Sequence, residues 1–372
     1  MTNSLTDSDA HELLSSGFIF GLRSGRTVIG WGEFKKSQTP EGACSVYAPD
    51  FYLEDPKPWL IPPKFAVVDR EFFATHVLPK LTTEVKDFRW IEPAREAFTC
   101  QFEKIRKAFE TEGLEKAVPV VHATSQVRVT QSEIGRILGA MSRLPQTLTA
   151  YGFWNVSASS ERPEGLLGAT PEYLFSVDGW ELKTMALAGT RSKTESREGG
   201  SALLADPKER KEHQLVIDDI SRVLSKFGKV TVGETAAAEL PTLFHLKTPI
   251  TIALEEKIDF ETLARVLHPT PALGLLPRSL GLKFLKGWDE VERRGRFGAP
   301  FGLDLKLEDG SRVQDCVVAI RNIQFGFNTL NSEGGRDVQL GSGCGIIPQS
   351  LPDREWDELQ LKRDSVRKIL DV

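Results

Sequence analysis

Two Asp-Gly pairs, each set between apolar runs, constrain this chain more than any other feature. In "EYLFSV-DG-WELKTMAL" the runs on either side of Asp178-Gly179 read as two strands joined by a tight turn. "LKLE-DG-SRVQDCVVAIRNIQFGF" repeats the arrangement around Asp309-Gly310, and "GFIFGLRSGRTVIGWGEF" reads as two strands about a Ser-Gly turn. So short a turn joins antiparallel neighbours, because a parallel return needs a crossover. Helical patterns fall at 66–80, 90–110, 131–144, 206–226, 260–268, 277–293 and 353–371, without a βαβ rhythm. The expected class is α+β, with antiparallel sheets and helices packed outside. No linker, low-complexity tract or repeat divides the chain, so 1–372 is read as a single domain.

Composition narrows the function classes. A net charge of −5 with no basic block argues against nucleic acid and against an anionic membrane as partners. Cys44, Cys100, Cys316 and Cys344 are far apart and form no CxxC pair, which argues against zinc and against a disulfide framework. The start, "MTNSLTDSDAHELLSS", lacks an apolar signal core, and no run reaches the roughly 18 apolar residues of a membrane span. The expectation is a cytoplasmic protein.

The stretch "DPKERKEHQLV" opens a helix with Asp206 as N-cap and Pro207 at the first helical position. Glu209 falls at the capping-box position, so a cap explains it. Glu212 has no such account. It lies in line with Val216, Ile220 and Val223, the stripe a helix buries, and a buried carboxylate needs a cation, hydrogen bonds or a proton. The C-terminal helix repeats the i, i+3 acidic spacing with Glu355 and Glu358, above an apolar stripe of Leu359, Val366, Ile369 and Leu370. Two acidic turns facing one cleft, with no His or Cys partners, suit a hard ion such as magnesium. Glutamates on a solvated helix face are the plainer reading. Three more segments bear on the choice. "GLLGATPEYLF" sets Glu172 at a strand entry, "MALAGTR" is a small-residue turn, and "LGSGCGII" puts Gly343 and Gly345 on one strand face, bare enough for a flat ligand. Each of these is also compatible with a tightly packed strand.

Taken in order, "LLGATPEYLF", "LAGTR", "DPKERKEHQLVIDDISRVL", "FHLKTPI", "LHPTPALGLLPR", "RRGRFGAPFG", "VVAIRN", "GSGCGII" and "PDREWDELQLK" resemble the chorismate-utilising enzymes: anthranilate, aminodeoxychorismate, isochorismate and salicylate synthases. The matching stretches run collinearly over about residues 110–365. The resemblance implies two large, mostly antiparallel sheets packed together with helices outside. It makes 1–110 a divergent N-terminal part of the fold and 111–372 its catalytic core. It implies chorismate as substrate and Mg2+ as cofactor, held by Glu212 and Glu358 with Glu209 and Glu355 nearby. The metal would hold the ring carboxylate, and Arg321 would pair with a substrate carboxylate through its planar fork. Lys362 and the amides around Gly343 and Gly345 would complete the anion site. Leu187, Gly189, Thr190, His245, Thr270 and Ala272 would line the pocket. For His245 a satisfied core histidine is the plainer reading.

Members of the family differ in their nucleophile. Aminodeoxychorismate synthases carry a lysine in a "PIKGT" turn, where this chain has Ala188. The position that activates water falls on Lys116 of "LEKAVPVV", with Glu172 as the acid for the departing C4 hydroxyl. Apolar surroundings are expected to lower the Lys116 ammonium toward neutrality. With Leu187 and "HPTPAL", the resemblance is greatest to isochorismate synthase, which needs no glutamine amidotransferase partner. Salicylate synthase, another chorismate-converting activity and a catalytically silent homologue are the alternatives. Use of the product in quinone or in siderophore synthesis is left open. Two departures from the family pattern stand out. Pro119 interrupts the Lys116 strand, predicting an edge or bulge. Leu275 stands where the family has glycine, and its isobutyl group would narrow the pocket if it faced inward.

Overall fold

A computed structural model describes residues 5–69, 75, 87–157, 163–193, 200–288, 294–326 and 338–372. The first strands are β1 (Ser16–Gly21), β2 (Thr27–Trp31), β3 (Lys35–Ser37), β4 (Cys44–Tyr47), β5 (Trp59–Ile61) and β6 (Lys64–Val68). Next come β7 (Lys116–Ala117), β8 (Val120–Ser125), β9 (Thr149–Asn155), β10 (Glu164–Thr170), β11 (Tyr173–Asp178) and β12 (Glu181–Ser192). The last are β13 (Gly228–Val232), β14 (Ala236–Glu239), β15 (Leu243–Leu254), β16 (Leu275–Leu276), β17 (Pro300–Lys306), β18 (Arg312–Val318), β19 (Asn322–Phe325) and β20 (Val338–Gly343). The helices are α1 (Asp7–Ser15), α2 (Arg95–Thr111), α3 (Gln131–Met141), α4 (Gly200–Ala205), α5 (Pro207–Leu224), α6 (Phe260–Leu267), α7 (Gly281–Trp288) and α8 (Pro352–Leu370).

Two large sheets result, and every described pairing in them is antiparallel. One has eight strands in the order β6-β2-β1-β9-β10-β19-β20-β8; the other has ten, β13-β15-β12-β11-β18-β17-β4-β5-β3, with β14 also on β15. The Asp178-Gly179 hairpin forms as β11–β12, with Gly179 at φ 60° and Asp178 opposite Glu181. The turn is therefore Gly179-Trp180, one residue later than the sequence pattern places it. The sheets meet through alternate apolar side chains, among them Phe20 stacked on Phe301 with ring centroids 6.2 Å apart. On the outer face of the eight-stranded sheet, Leu13, Ile134, Ile137, Val366 and Leu370 bury the stripes of α1, α3 and α8. On the outer face of the ten-stranded sheet, Val216, Ile220 and Leu224 of α5 pack with Leu263 and Leu267 of α6. The α+β architecture inferred from the hairpins is the one observed.

One element differs. The helix expected over 66–80 does not begin there: Ala66, Val67 and Val68 are buried in β6, paired with β2. A short apolar run does not distinguish strand from helix, and here sheet pairing decides. Most of that range lies outside the described residues. Pro119 ends one strand and precedes another. β7 leaves the sheet to pair with β16 as a two-stranded ribbon, while β8 pairs with β20. Leu275 lies opposite Ala117 in this ribbon and packs among Phe98, Ile346 and Leu359, away from the cavity described below.

Candidate active site

The ends of β12, β20 and β11 converge with α5 and α8 around a cavity of about 60 Å³. It is lined by Glu172, Leu187, Ala188, Gly189, Thr190, Glu212, His245, Ala272, Arg321, Gly343, Gly345, Glu358 and Lys362, together with Leu273, Phe297, Ile320, Gly341 and Ser342. Thr190 and Glu358 also line an outer cleft of about 730 Å³, where Glu209 and Glu355 lie. Two further candidates line neither the cavity nor the outer cleft. Thr270 is buried in the turn behind Ala272, its carbonyl accepting from Leu273 and Gly274. Lys116 is fully buried behind Glu212, its Nζ 3.0 Å from Glu212 Oε1.

Local structure explains the placements. In β12 the register against β15 shifts between Ala188 and Thr190, so Gly189, at φ 77°, is a bulge. The bulge turns the Thr190 N–H toward α5, where it donates to Glu209 Oε2 at 3.1 Å. Glu209 therefore serves the cleft rather than the capping box; Asp206 caps α5 alone, accepting from the Lys208 and Glu209 amides. Arg321 sits between β18 and β19 with φ 56°, a left-handed conformation uncommon for a non-glycine residue. Its Nη2 lies 2.9 Å from His245 Nε2. Guanidinium only donates, so this nitrogen accepts, and His245 Nδ1–H is left to donate to the Gly189 carbonyl at 3.0 Å. Burial, with Arg321 beside it, lowers the imidazole well below its ordinary pKa, so it is neutral. His245 is thus a satisfied histidine that also orients Arg321.

The charged groups divide by environment. Burial raises the Glu172 carboxyl to about 8, against the pull of Lys116, Lys362 and Arg321. Burial also acts to raise Glu212, but Lys116 and Lys208 outweigh it and hold that carboxyl below its ordinary value. Glu209 and Glu355 are raised, by burial first and by neighbouring carboxylates after it. Lys362 bridges Glu358 Oε1 at 2.6 Å and the Gly343 carbonyl at 2.8 Å. A Cβ at Gly345 would stand 2.0 Å from Glu212 Oε1 and 2.9 Å from Lys116 Cε, so any side chain there displaces this ion pair.

Three carboxylates already surround a cation. Lys208 Nζ lies 3.0 Å from Glu209, 3.4 Å from Glu212 and 3.1 Å from Glu355. Among the described residues, no three acidic, His or Cys groups stand ready to hold a metal as they are. Of the four candidate donors, Glu209, Glu212 and Glu355 gather around one positive charge while Glu358 pairs with Lys362; the set is all oxygen, which fits a hard divalent ion taking the place of the ammonium. Lys208 was not singled out from sequence. The available signal was its place in the first turn of a helix, where a cation opposes the macrodipole unless acidic groups hold it.

A family model described as "Chorismate binding enzyme" matches residues 72–371. The salicylate biosynthesis isochorismate synthase of Pseudomonas aeruginosa is 35% identical over 210 residues, 55% of this chain and 41% of that protein. Isochorismate synthase EntC of Escherichia coli is 32% identical over 55% of this chain and 50% of its own, so the chain spans about half the length of these relatives. Isochorismate synthase MenF of Escherichia coli is 27% identical over 82% of this chain and 68% of its own. In fold, the chain is similar to the solved structure of MenF, with TM-score 0.76 at 22% identity over 99% of this chain and 92% of that one. A Bacillus anthracis structure titled as a putative isochorismate synthase, DhbC, gives 0.76 at 19% identity over 97% and 99%. No described helix is long and apolar enough to cross a membrane. With its two antiparallel sheets and a match over residues 72–371, this chain belongs to the chorismate binding enzyme family.

Proposed function

We propose that the chain is a magnesium-dependent isochorismate synthase, adding water at C2 of chorismate as the C4 hydroxyl departs. The observation that carries this reading is the buried Glu172 carboxyl, raised to about 8, in a cavity walled by Ala188. Near neutral pH this acid keeps a proton for the departing hydroxyl, while the alanine offers no amine for a lysyl intermediate. Arg321, oriented by His245, and Lys362 supply positive charge for substrate carboxylates. Gly343 and Gly345 leave bare backbone for a flat ring. Lys116 is assigned as the base toward water, and to reach the cavity it would have to part from Glu212, with which it pairs at 3.0 Å. Glu212 and Glu358, with Glu209 and Glu355, would hold magnesium. When bound, the ion would neutralise the acidic helices and draw charge from a substrate carboxylate.

At about 60 Å³ the cavity holds roughly two waters. Substrate entry therefore requires the cavity to widen. Leu275, turned into the core, leaves the cavity clear of the obstruction its position suggested. Chorismate incubation with magnesium and product chromatography tests the reading. Isochorismate supports it, salicylate with pyruvate moves the chain to salicylate synthesis, and unchanged chorismate makes it a silent homologue.

A further inference from the structure

Four glutamates have a part in the proposed chemistry, and Lys208 has none. A lysine in the first turn of α5 faces the positive end of the helix dipole. What holds it is the ring of Glu209, Glu212 and Glu355, at 3.0, 3.4 and 3.1 Å. Two of these are on its own helix and the third is on α8, so one ammonium ties the two acidic helices together. Oxygens around a bound magnesium stand at about 2.0–2.1 Å, a full ångström closer than these. The glutamates are thus spread around a larger head group than a metal ion. Two cations at this point would lie within a few ångströms and repel, so ammonium and metal exclude each other. Lys208 has somewhere to go: it keeps 23% of its side-chain surface exposed and lines the outer cleft, which Asp357 also lines.

Resting on the metal reading, we propose that Lys208 is a tethered stand-in for the metal. Its ammonium neutralises the acidic cluster in the resting protein and withdraws into the outer cleft when a divalent cation enters. Exchange of a single positive charge for a double one is opposed in the free protein. It becomes favourable once a substrate carboxylate brings further negative charge to the same point. Lys208 thereby couples metal loading to the arrival of substrate and guards the path from outer cleft to inner cavity.

The test is Mn2+ binding without chorismate, followed by the paramagnetic resonance of the free ion. Lys208→Met is expected to bind Mn2+ about tenfold or more tightly than wild type, since a like charge has left the site. It should also melt below wild type in chelator and recover with Mn2+, while the wild-type melt ignores the same Mn2+. Adding Glu212→Gln to Lys208→Met should abolish the gain. Equal or weaker Mn2+ binding by Lys208→Met overturns the inference, as does a gain that survives Glu212→Gln. Where Lys208→Met does not fold, Lys208→Arg keeps the charge on a head better fitted to carboxylates and is expected to bind Mn2+ more weakly than wild type; equal or tighter binding overturns the inference. A separate failure marks the metal reading itself: no Mn2+ bound by any form, with chorismate present.

Discussion

Gly345→Ala isolates the central ion pair with a single methyl group. The φ of Gly345 lies outside the left-handed region, so alanine meets no backbone penalty. Its Cβ would stand 2.0 Å from Glu212 Oε1, 2.8 Å from Glu212 Cδ and 2.9 Å from Lys116 Cε. Ordinary contact requires the oxygen to retreat by about 1.3 Å, stretching the Lys116–Glu212 pair from 3.0 Å to roughly 4.3 Å. At an effective dielectric of about 20, the attraction falls from about 5.5 to about 3.9 kcal/mol, a loss of roughly 1.6 kcal/mol. Unfolding a chain of 372 residues carries an entropy of about 0.8 kcal/mol per degree, so the melting temperature should drop by about 2 °C. Turnover should suffer far more, because an ångström of misplacement at a reacting centre costs on the order of 10²-fold. Thermal melts by circular dichroism and chromatographic rates on chorismate measure the two effects. Near wild-type kcat/KM in Gly345→Ala would refute the argument, since Glu212 could then shift without consequence.

Other substitutions probe the remaining roles. Glu172→Gln should lower turnover at least about 10²-fold, and the wild-type rate should fall as pH rises through about 8, where the acid loses its proton. A carboxyl raised on folding stabilises fully below its ordinary unfolded value of 4.5, and that contribution is lost as pH rises through about 8; Glu172→Gln should flatten this slope in urea titrations across the window. Lys116→Gln should stop water addition, and a near wild-type rate in Lys116→Ala would place the base elsewhere. Glu212→Gln, Glu358→Gln or excess chelator should silence turnover, and full activity in chelator would end the magnesium reading. Leu275→Gly should destabilise by about 2–5 kcal/mol through a void beside Phe98 and Leu359, without tightening chorismate binding. Tighter binding by calorimetry would return the leucine to the pocket.

Local rules carried the sequence reading a long way. Asp206-Pro207 marked the start of α5, and buried Val216, Ile220 and Val223 confirm its inward stripe. The hairpins at Asp178 and Asp309 gave the sheet sense. The grouping of Glu172, Glu212, Arg321, Gly345 and Lys362 in one cavity came from ordered motifs spread over nearly 200 residues, which no single periodicity supplies. What stayed hidden depends on partners distant in the chain. Lys116 was read against its apolar neighbours, but its nearest charge is Glu212, on another element. Lys208 gave only a faint dipole signal, since Glu355 meets it from the other end of the chain. The strand at Ala66–Val68 was lost in the continuation of an apolar run, because pairing with β2 is invisible to a local pattern.

The ribbon of β7 and β16 is fastened in an unusual currency. The buried Arg294 donates to the carbonyls of Val118 at 2.6 Å and Leu273 at 2.7 Å, stitching the segment that bears Lys116 to the turn that lines the cavity. Carbonyl oxygens are common to all residues, so this stitch does not depend on which side chain stands at 275. A glycine can give way to Leu275 there without moving the anchor points. The side chain at 275 is therefore uncoupled from the alignment of Lys116, which rests instead on Arg294, nearly 20 residues further along the chain.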